Sequence, residues 1–159
     1  MIDWEALSAN PAAIDLIESN LKKADWINLS ANEGAVPLLE QNLDKVNWIM
    51  LSSNPAAIHI LEANPDKINW RLLSSNSAAM HLLEANIDKI DWTLLSTNPN
   101  AMHLLEANQD KVNWFWISIN PNIFEYDYER MNQPYTEELM QNRFHPRNFE
   151  SLESWGYEN

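Results

Sequence analysis

Trp48-Ile49-Met50-Leu51-Ser52-Ser53-Asn54-Pro55-Ala56-Ala57-Ile58-His59-Ile60-Leu61-Glu62-Ala63-Asn64-Pro65-Asp66-Lys67-Ile68-Asn69 is one unit of a pattern that the chain repeats along most of its length. Trp4, Trp26, Trp48, Trp70, Trp92 and Trp114 stand 22 residues apart without a slip. A fixed period of about 20–50 residues marks a stacked array, in which each unit is too small to bury its own apolar face and buries it against its neighbours.

Substitutions between copies stay apolar in the apolar columns. One column runs Leu7, Leu29, Leu51, Leu73, Leu95, Ile117; another Ile14, Val36, Ile58, Met80, Met102, Phe124; a third Leu16, Leu38, Ile60, Leu82, Leu104. Ala57, Ile58, Leu61 and Glu62, with Ile60 beside them, follow helical spacing, and the strict alternation of a strand is absent. Asn10-Pro11, Asn54-Pro55 and Asn98-Pro99 mark helix starts, with asparagine as N-cap and proline at the first helical position. Asp25, Asn47, Asn69, Asp91 and Asn113 are expected to cap the other helix, which begins at each tryptophan. Asn20, Asn42, Asn64, Asn86 and Asn108 fall where the second helix must stop, and are expected in the left-handed conformation. Each unit is thus two helices of roughly 6 and 9 residues, too short to persist alone, since isolated helices need about 12–15. Ala13, Ala35, Ala57, Ala79 and Ala101 form the small column that lets neighbouring helices approach.

The expected architecture is an all-α solenoid of short helical hairpins, one domain over 1–159, with five 22-residue repeats across 3–119. From Asn120 the pattern decays into a partial repeat. Pro134 to Phe144 and Arg147 to Tyr157 then read as helices that cap the last unit, so 120–159 is expected to close the array. The first unit begins directly in the pattern, without a visible cap, which suggests either that Met1 and Ile2 shield it in part or that it docks on another copy or another protein.

Composition narrows the function. No run of 18 apolar residues and no basic-then-apolar leader is present, so neither a membrane span nor a secretory signal is expected. Cysteine is absent, which removes disulfides and thiolate metal sites. A formal net charge of −13, with ten scattered basic residues, opposes phosphate backbones and anionic lipid surfaces. The expected partner is a protein, with neither nucleic acid nor membrane. A basic partner suits this field, and the same acidity also serves solubility.

Candidate chemistry has a plain counterpart in each case. His59, His81 and His103 share one column, each three residues before a glutamate: Glu62, Glu84 and Glu106. That pattern allows a metal ladder or a pH-sensitive stripe, and equally a half-exposed helix position with His–Glu pairs at i, i+3. The tryptophan column allows a stacking platform for bases or sugars, but core packing is the more economical account, so Trp4, Trp26, Trp48, Trp70, Trp92 and Trp114 are taken as the repeat core. Equivalent glutamates in equivalent settings are the opposite of what paired-carboxylate catalysis uses. No catalytic residue, cofactor site or metal ligand is assigned, and no enzyme is expected. The two positions after each tryptophan, and the position before each asparagine cap, vary most between copies. They supply a candidate partner face of Met50, Arg71, Leu72, Thr93, Leu94, Phe115 and Trp116, or else ordinary variation in packing.

The string Asn-Pro-x-Ala-Ile-x-Leu-Leu-Glu-x-Asn-x-Asp-Lys-Ile-Asn-Trp-x-x-Leu-Ser resembles short tandem repeats of giant DNA viruses that infect amoebae and algae. Asn120 to Tyr128, Glu137 to Met140 and His145-Pro146 are similar to the tail that closes such arrays. The chain departs from the pattern at Gly34-Ala35-Val36-Pro37, where a proline falls inside the second helix. The resemblance implies an α-helical solenoid, a viral origin, expression in the host cytoplasm and an interaction role, with no catalytic residues to carry over. The function expected is a protein–protein interaction module. The alternative is a structural component, in a virion or replication compartment, that assembles through its first repeat.

Overall fold

In the computed structural model the described residues are 2–122. They are helical throughout, in short pieces that recur with the sequence period. The first helix of each unit is α1 (Trp4–Ala9), α3 (Trp26–Ala31), α5 (Trp48–Leu51), α7 (Trp70–Ser74), α9 (Trp92–Leu95) and α11 (Trp114–Ile117). The second is α2 (Ile14–Glu18), α4 (Val36–Glu40), α6 (Ile58–Glu62), α8 (Met80–Glu84) and α10 (Met102–Ala107). Successive first helices lie side by side, α1 on α3, α3 on α5 and α7 on α9, which is the packing of a stacked helical-hairpin array. The repeats form one compact unit, Met1–Asn120. The capping helices expected between Pro134 and Tyr157 lie outside the described residues.

Both helices start as the side-chain chemistry dictates. Asn47 Oδ1 accepts from the Met50 amide at 3.1 Å, and Asn54 Oδ1 accepts from the Ala56 amide at 3.0 Å. The second helix is shorter than its apolar stripe suggests, because its start is a tight 3-10 turn, such as Pro55–Ala57, that precedes the α-helix proper. Those turns pack on one another, Pro11–Ala13 against Glu33–Ala35 and the latter against Pro55–Ala57, over the buried alanine column. An added Cβ on Gly34 would come within 3.2 Å of the Pro11 carbonyl oxygen, so the second unit sits unusually close to the first. Pro37 does not break its helix. It falls in the first turn of α4, where a missing amide proton costs no hydrogen bond.

The second helix also ends differently from the sequence expectation. Asn64, Asn86 and Asn108 have φ of −135°, −138° and −135°, outside the left-handed region. The side chain does the capping instead: Asn64 Nδ2 donates to the Ile60 carbonyl at 2.9 Å, as Asn86 does to Leu82 and Asn108 to Leu104. Asparagine turned back on the helix satisfies a free carbonyl without the strain of positive φ.

The centre of the array is made of aliphatic and polar columns. Leu29, Leu51, Leu73 and Leu95 of the first helices and Ile17, Leu39, Leu61, Leu83 and Leu105 of the second are fully or almost fully buried. So are Ser8, Ser30, Ser52, Ser74 and Ser96, with Asn54, Asn76, Asn98 and Asn120. These polar groups join consecutive units. Ser52 Oγ donates to the Trp48 carbonyl at 2.8 Å and accepts at 2.9 Å from the backbone amide of Asn69, the cap of the next unit's first helix. Asn54 Nδ2 likewise donates back across the interface before it, to the Ser30 carbonyl of the preceding unit at 3.1 Å. The same pair of links recurs from Ser8 to Asn120, and no buried side-chain polar atom among the described residues lacks a partner. Buried hydrogen bonds of this kind fix register, since a slipped unit would strand both donors and acceptors.

Candidate interaction face

Three columns of each first helix point away from the core: the first, second and fifth residues after the tryptophan. At 100° per residue these share one side, opposite the buried leucine and serine. The first of these columns is exposed, with Ile27 and Ile49 at 53% and 54% and Arg71 and Thr93 also open. Met50, Leu72 and Leu94, in the second, are half-buried and lie at the foot of that row. In the third, Ser53 Oγ donates to the Met50 carbonyl at 2.7 Å, Ser75 Oγ to Leu72 at 2.9 Å and Thr97 Oγ1 to Leu94 at 2.7 Å. Those hydroxyls are therefore spent on the helix ends beneath them.

The outcome is a face with little charge on a strongly acidic chain. From Ile27 to Ile119 its three columns hold a single ionisable side chain, Arg71, whose Nε lies 3.7 Å from Asp91 Oδ2. The sequence-derived set falls on this face: Met50, Leu72 and Leu94 half-buried, Arg71 and Thr93 exposed, Phe115 75% and Trp116 39% exposed. Ile27 and Ile49 belong with them. They occupy the same column as Arg71, Thr93 and Phe115, and that shared column was the signal that places them here.

The tryptophans are not the core. Trp4, Trp26, Trp48, Trp70 and Trp92 are half-buried along one edge, and each carries a lysine from the turn 19 residues later. The Nζ of Lys23, Lys45, Lys67, Lys89 and Lys111 lies 4.9, 5.0, 4.5, 4.5 and 4.7 Å from its ring centroid. An indole is rarely buried completely because of its size, and here the ring also carries the lysine ammonium over its face. Lys45 and Lys89 also donate to Oδ1 of the capping Asn42 and Asn86, which ties this edge to the end of the second helix. Trp114 is 68% exposed, and position 133, where the lysine column would continue, is glutamine.

The histidine column lies on the second helices and pairs across units. His59 Nε2 meets Glu40 Oε1 at 2.7 Å, His81 meets Glu62 at 2.6 Å and His103 meets Glu84 at 2.8 Å. The expected partner three residues on is displaced by the one 19 residues back, because stacking brings the preceding helix's glutamate directly alongside. All these side chains are about half exposed, so the pairs are solvated. Among the described residues no group of three or more His, Cys, Asp or Glu side chains is placed to hold a metal ion. No described helix is long and apolar enough to cross a membrane. No protein-family model, curated protein or solved structure matches this chain.

Proposed function

We propose that the array is a protein-interaction scaffold, without catalysis or cofactor, whose binding surface is the outer face of α3, α5, α7 and α9. The observation that carries this reading is the contrast of charge. A chain of net charge −13 keeps one side almost free of ionisable groups and fills it with Ile27, Ile49, Met50, Leu72 and Leu94. Extended apolar surface on a soluble chain is commonly an interaction site, and stacked repeats offer it along a line. The acidity disfavours nucleic acid and anionic membranes as partners. Repeated carboxylates and imidazoles in equivalent, half-exposed settings are the opposite of the differently placed pair on which general acid–base chemistry relies. With the resemblance to giant-virus arrays, the reading extends to a viral protein that engages a host or viral protein in the host cytoplasm.

Affinity purification of the tagged wild-type chain and of an Ile27→Glu/Ile49→Glu variant, from the cells that express it, tests the proposal. A stoichiometric protein partner lost from the variant is the expected result. A partner retained equally by both refutes the choice of face, and the absence of any stoichiometric partner refutes the scaffold.

A second reading, self-association through the first unit, draws on Ile2 and Leu16, which are 58% and 45% exposed. It also draws on Asn10, the exposed member of a column that is buried in the later units. Sedimentation equilibrium would reveal this association as a rise in mass with concentration that Leu16→Glu abolishes.

A further inference from the structure

We infer that the segment bound on this face is a basic amphipathic α-helix, lying across α3, α5, α7 and α9 with its cationic flank over the turns that lead into α5, α7 and α9. The inference rests on the scaffold reading and adds the chemistry of the partner. It follows from the spacing of the face and from the placement of charge beside it.

Neighbouring packed helices stand about 8–10 Å apart, so the exposed side chains of successive units recur at about that step. An α-helix returns a side chain to the same side every seven residues, a rise of about 10.5 Å, with i+3 and i+4 positions falling near the midpoint. A helical ligand therefore keeps pace with the units, setting one apolar side chain near each ridge and one in each groove. An extended chain returns every second residue, about 6.7 Å, and over three steps of about 9 Å drifts by about 7 Å, against about 4.5 Å for the helix. The exposed side chains of the row are Ile27, Ile49, Arg71 and Thr93, with Met50, Leu72 and Leu94 half-buried beside them in sequence. Four units span roughly 27 Å, the length of a helix of about 18 residues.

The charge beside the face selects the occupant. Asp44, Asp66, Asp88 and Asp110 stand in the turns that lead into α5, α7, α9 and α11, all exposed. None of the four forms an ion pair with a described residue. The lysine that follows each in sequence is drawn back over a tryptophan ring, 4.5–5.0 Å from its centroid. A carboxylate thus recurs at one per unit along the turns into α5, α7, α9 and α11, while the turn into α3 carries Lys22 and Lys23. A second copy would bring an identical acidic row and another −13 charges to the contact, whereas a cationic helix gains attraction where it passes the aspartates before α5, α7 and α9. Arg71 does not reverse this, because Asp91 sits beside it.

The test is selection from a displayed library of random 18-residue peptides on the immobilised full chain, followed by titration of synthetic winners. The expected winners carry net positive charge with apolar residues at i, i+3 or i+4, and i+7, and gain helical circular dichroism on binding. Their affinity is expected to fall at least roughly tenfold in Ile27→Glu/Ile49→Glu, as for central apolar contacts. It is expected to fall about three- to tenfold in Asp44→Asn/Asp66→Asn/Asp88→Asn, and to fall with added salt. All these substitutions are at exposed positions, and unchanged thermal melts confirm that the variants fold. Winners that are acidic or uncharged, or that bind in an extended form, yet are lost in the isoleucine variant overturn the basic helix and leave the face standing. Winners indifferent to the isoleucine variant, or no enrichment at all, overturn both.

Discussion

Replacing Asn54 separates what the buried asparagine does within its own helix from what it does between units. Its side chain is fully buried, with Oδ1 accepting from Ala56 and Nδ2 donating 24 residues back to the Ser30 carbonyl. Asn54→Ala removes an N-cap, worth about 1 kcal/mol. It also strands the buried Ser30 carbonyl, at a cost of about 1–3 kcal/mol. The expected loss is therefore about 2–4 kcal/mol.

Asn47 provides the control. It caps α5 through the same kind of bond, Oδ1 accepting from the Met50 amide at 3.1 Å, but is only half-buried, and its link to the preceding unit is its backbone N–H to Ser30 Oγ at 2.9 Å, which a side-chain substitution leaves in place. Asn47→Ala is expected to cost about 1 kcal/mol. Aspartate sharpens the comparison, since it keeps the accepting oxygen and discards the donor. Asn47→Asp is expected to be nearly neutral, whereas Asn54→Asp buries a carboxylate against the Ser30 carbonyl and is expected to cost about 3 kcal/mol or more at neutral pH. That deficit is expected to narrow in acid, where the carboxyl regains an O–H to donate. Urea unfolding followed by far-UV circular dichroism reads all four variants, on condition that the slope with denaturant stays unchanged. Equal losses for Asn54→Ala and Asn47→Ala, or tolerance of Asn54→Asp, would refute the claim that this amide holds one unit to the next.

Two further outcomes test the edges of the array. Lys67→Ala is expected to cost up to about 1 kcal/mol and to increase acrylamide quenching of tryptophan fluorescence, because Trp48 loses its cover. Lys67→Met should restore the cover without the charge, so full recovery of stability would assign the contact to packing alone. Glu62→Gln, which removes the carboxylate facing His81, is expected to cost at most about 0.5 kcal/mol at low salt and nothing measurable at high salt in urea melts, since both side chains are half exposed. A larger, salt-independent loss would make the histidine column a structural support.

The fold class was legible because the helices are too short to stand alone and their apolar columns repeat without slippage. What a repeat sequence hides is which neighbour a side chain meets. His81 has a glutamate three residues ahead and another 19 residues behind, and only stacking decides for Glu62. The tryptophans show the same blind spot: their register places them on the inner side of a helix, while the lysine that covers them arrives from the far end of the unit. Yet one signal of the buried links was present. The cap before each tryptophan accepts either Asp or Asn, as Asp3, Asp25, Asn47, Asn69, Asp91 and Asn113 show. The cap before the second helix is Asn in every copy, from Asn10 to Asn120. Capping alone cannot explain that difference, because aspartate caps as well as asparagine does; the need for an amide donor can.

The buried ladder and the outer face are mechanically one device. Across each interface the later unit donates twice to the same serine of the earlier one, Asn69 N–H to Ser52 Oγ and Asn76 Nδ2 to the Ser52 carbonyl, so a unit can neither slide nor rotate against the next without breaking one of them. That restraint keeps Ile27, Ile49, Arg71 and Thr93 in a row and makes the step between them regular, which a helix lying across several units requires. Loosening one link should therefore disturb recognition before it unfolds the chain. If Asn54→Ala weakens a selected peptide more than Asn47→Ala does, under conditions where both variants are fully folded, register is what the face contributes to binding. Equal affinities would mean that each unit binds by itself and that the alignment is incidental.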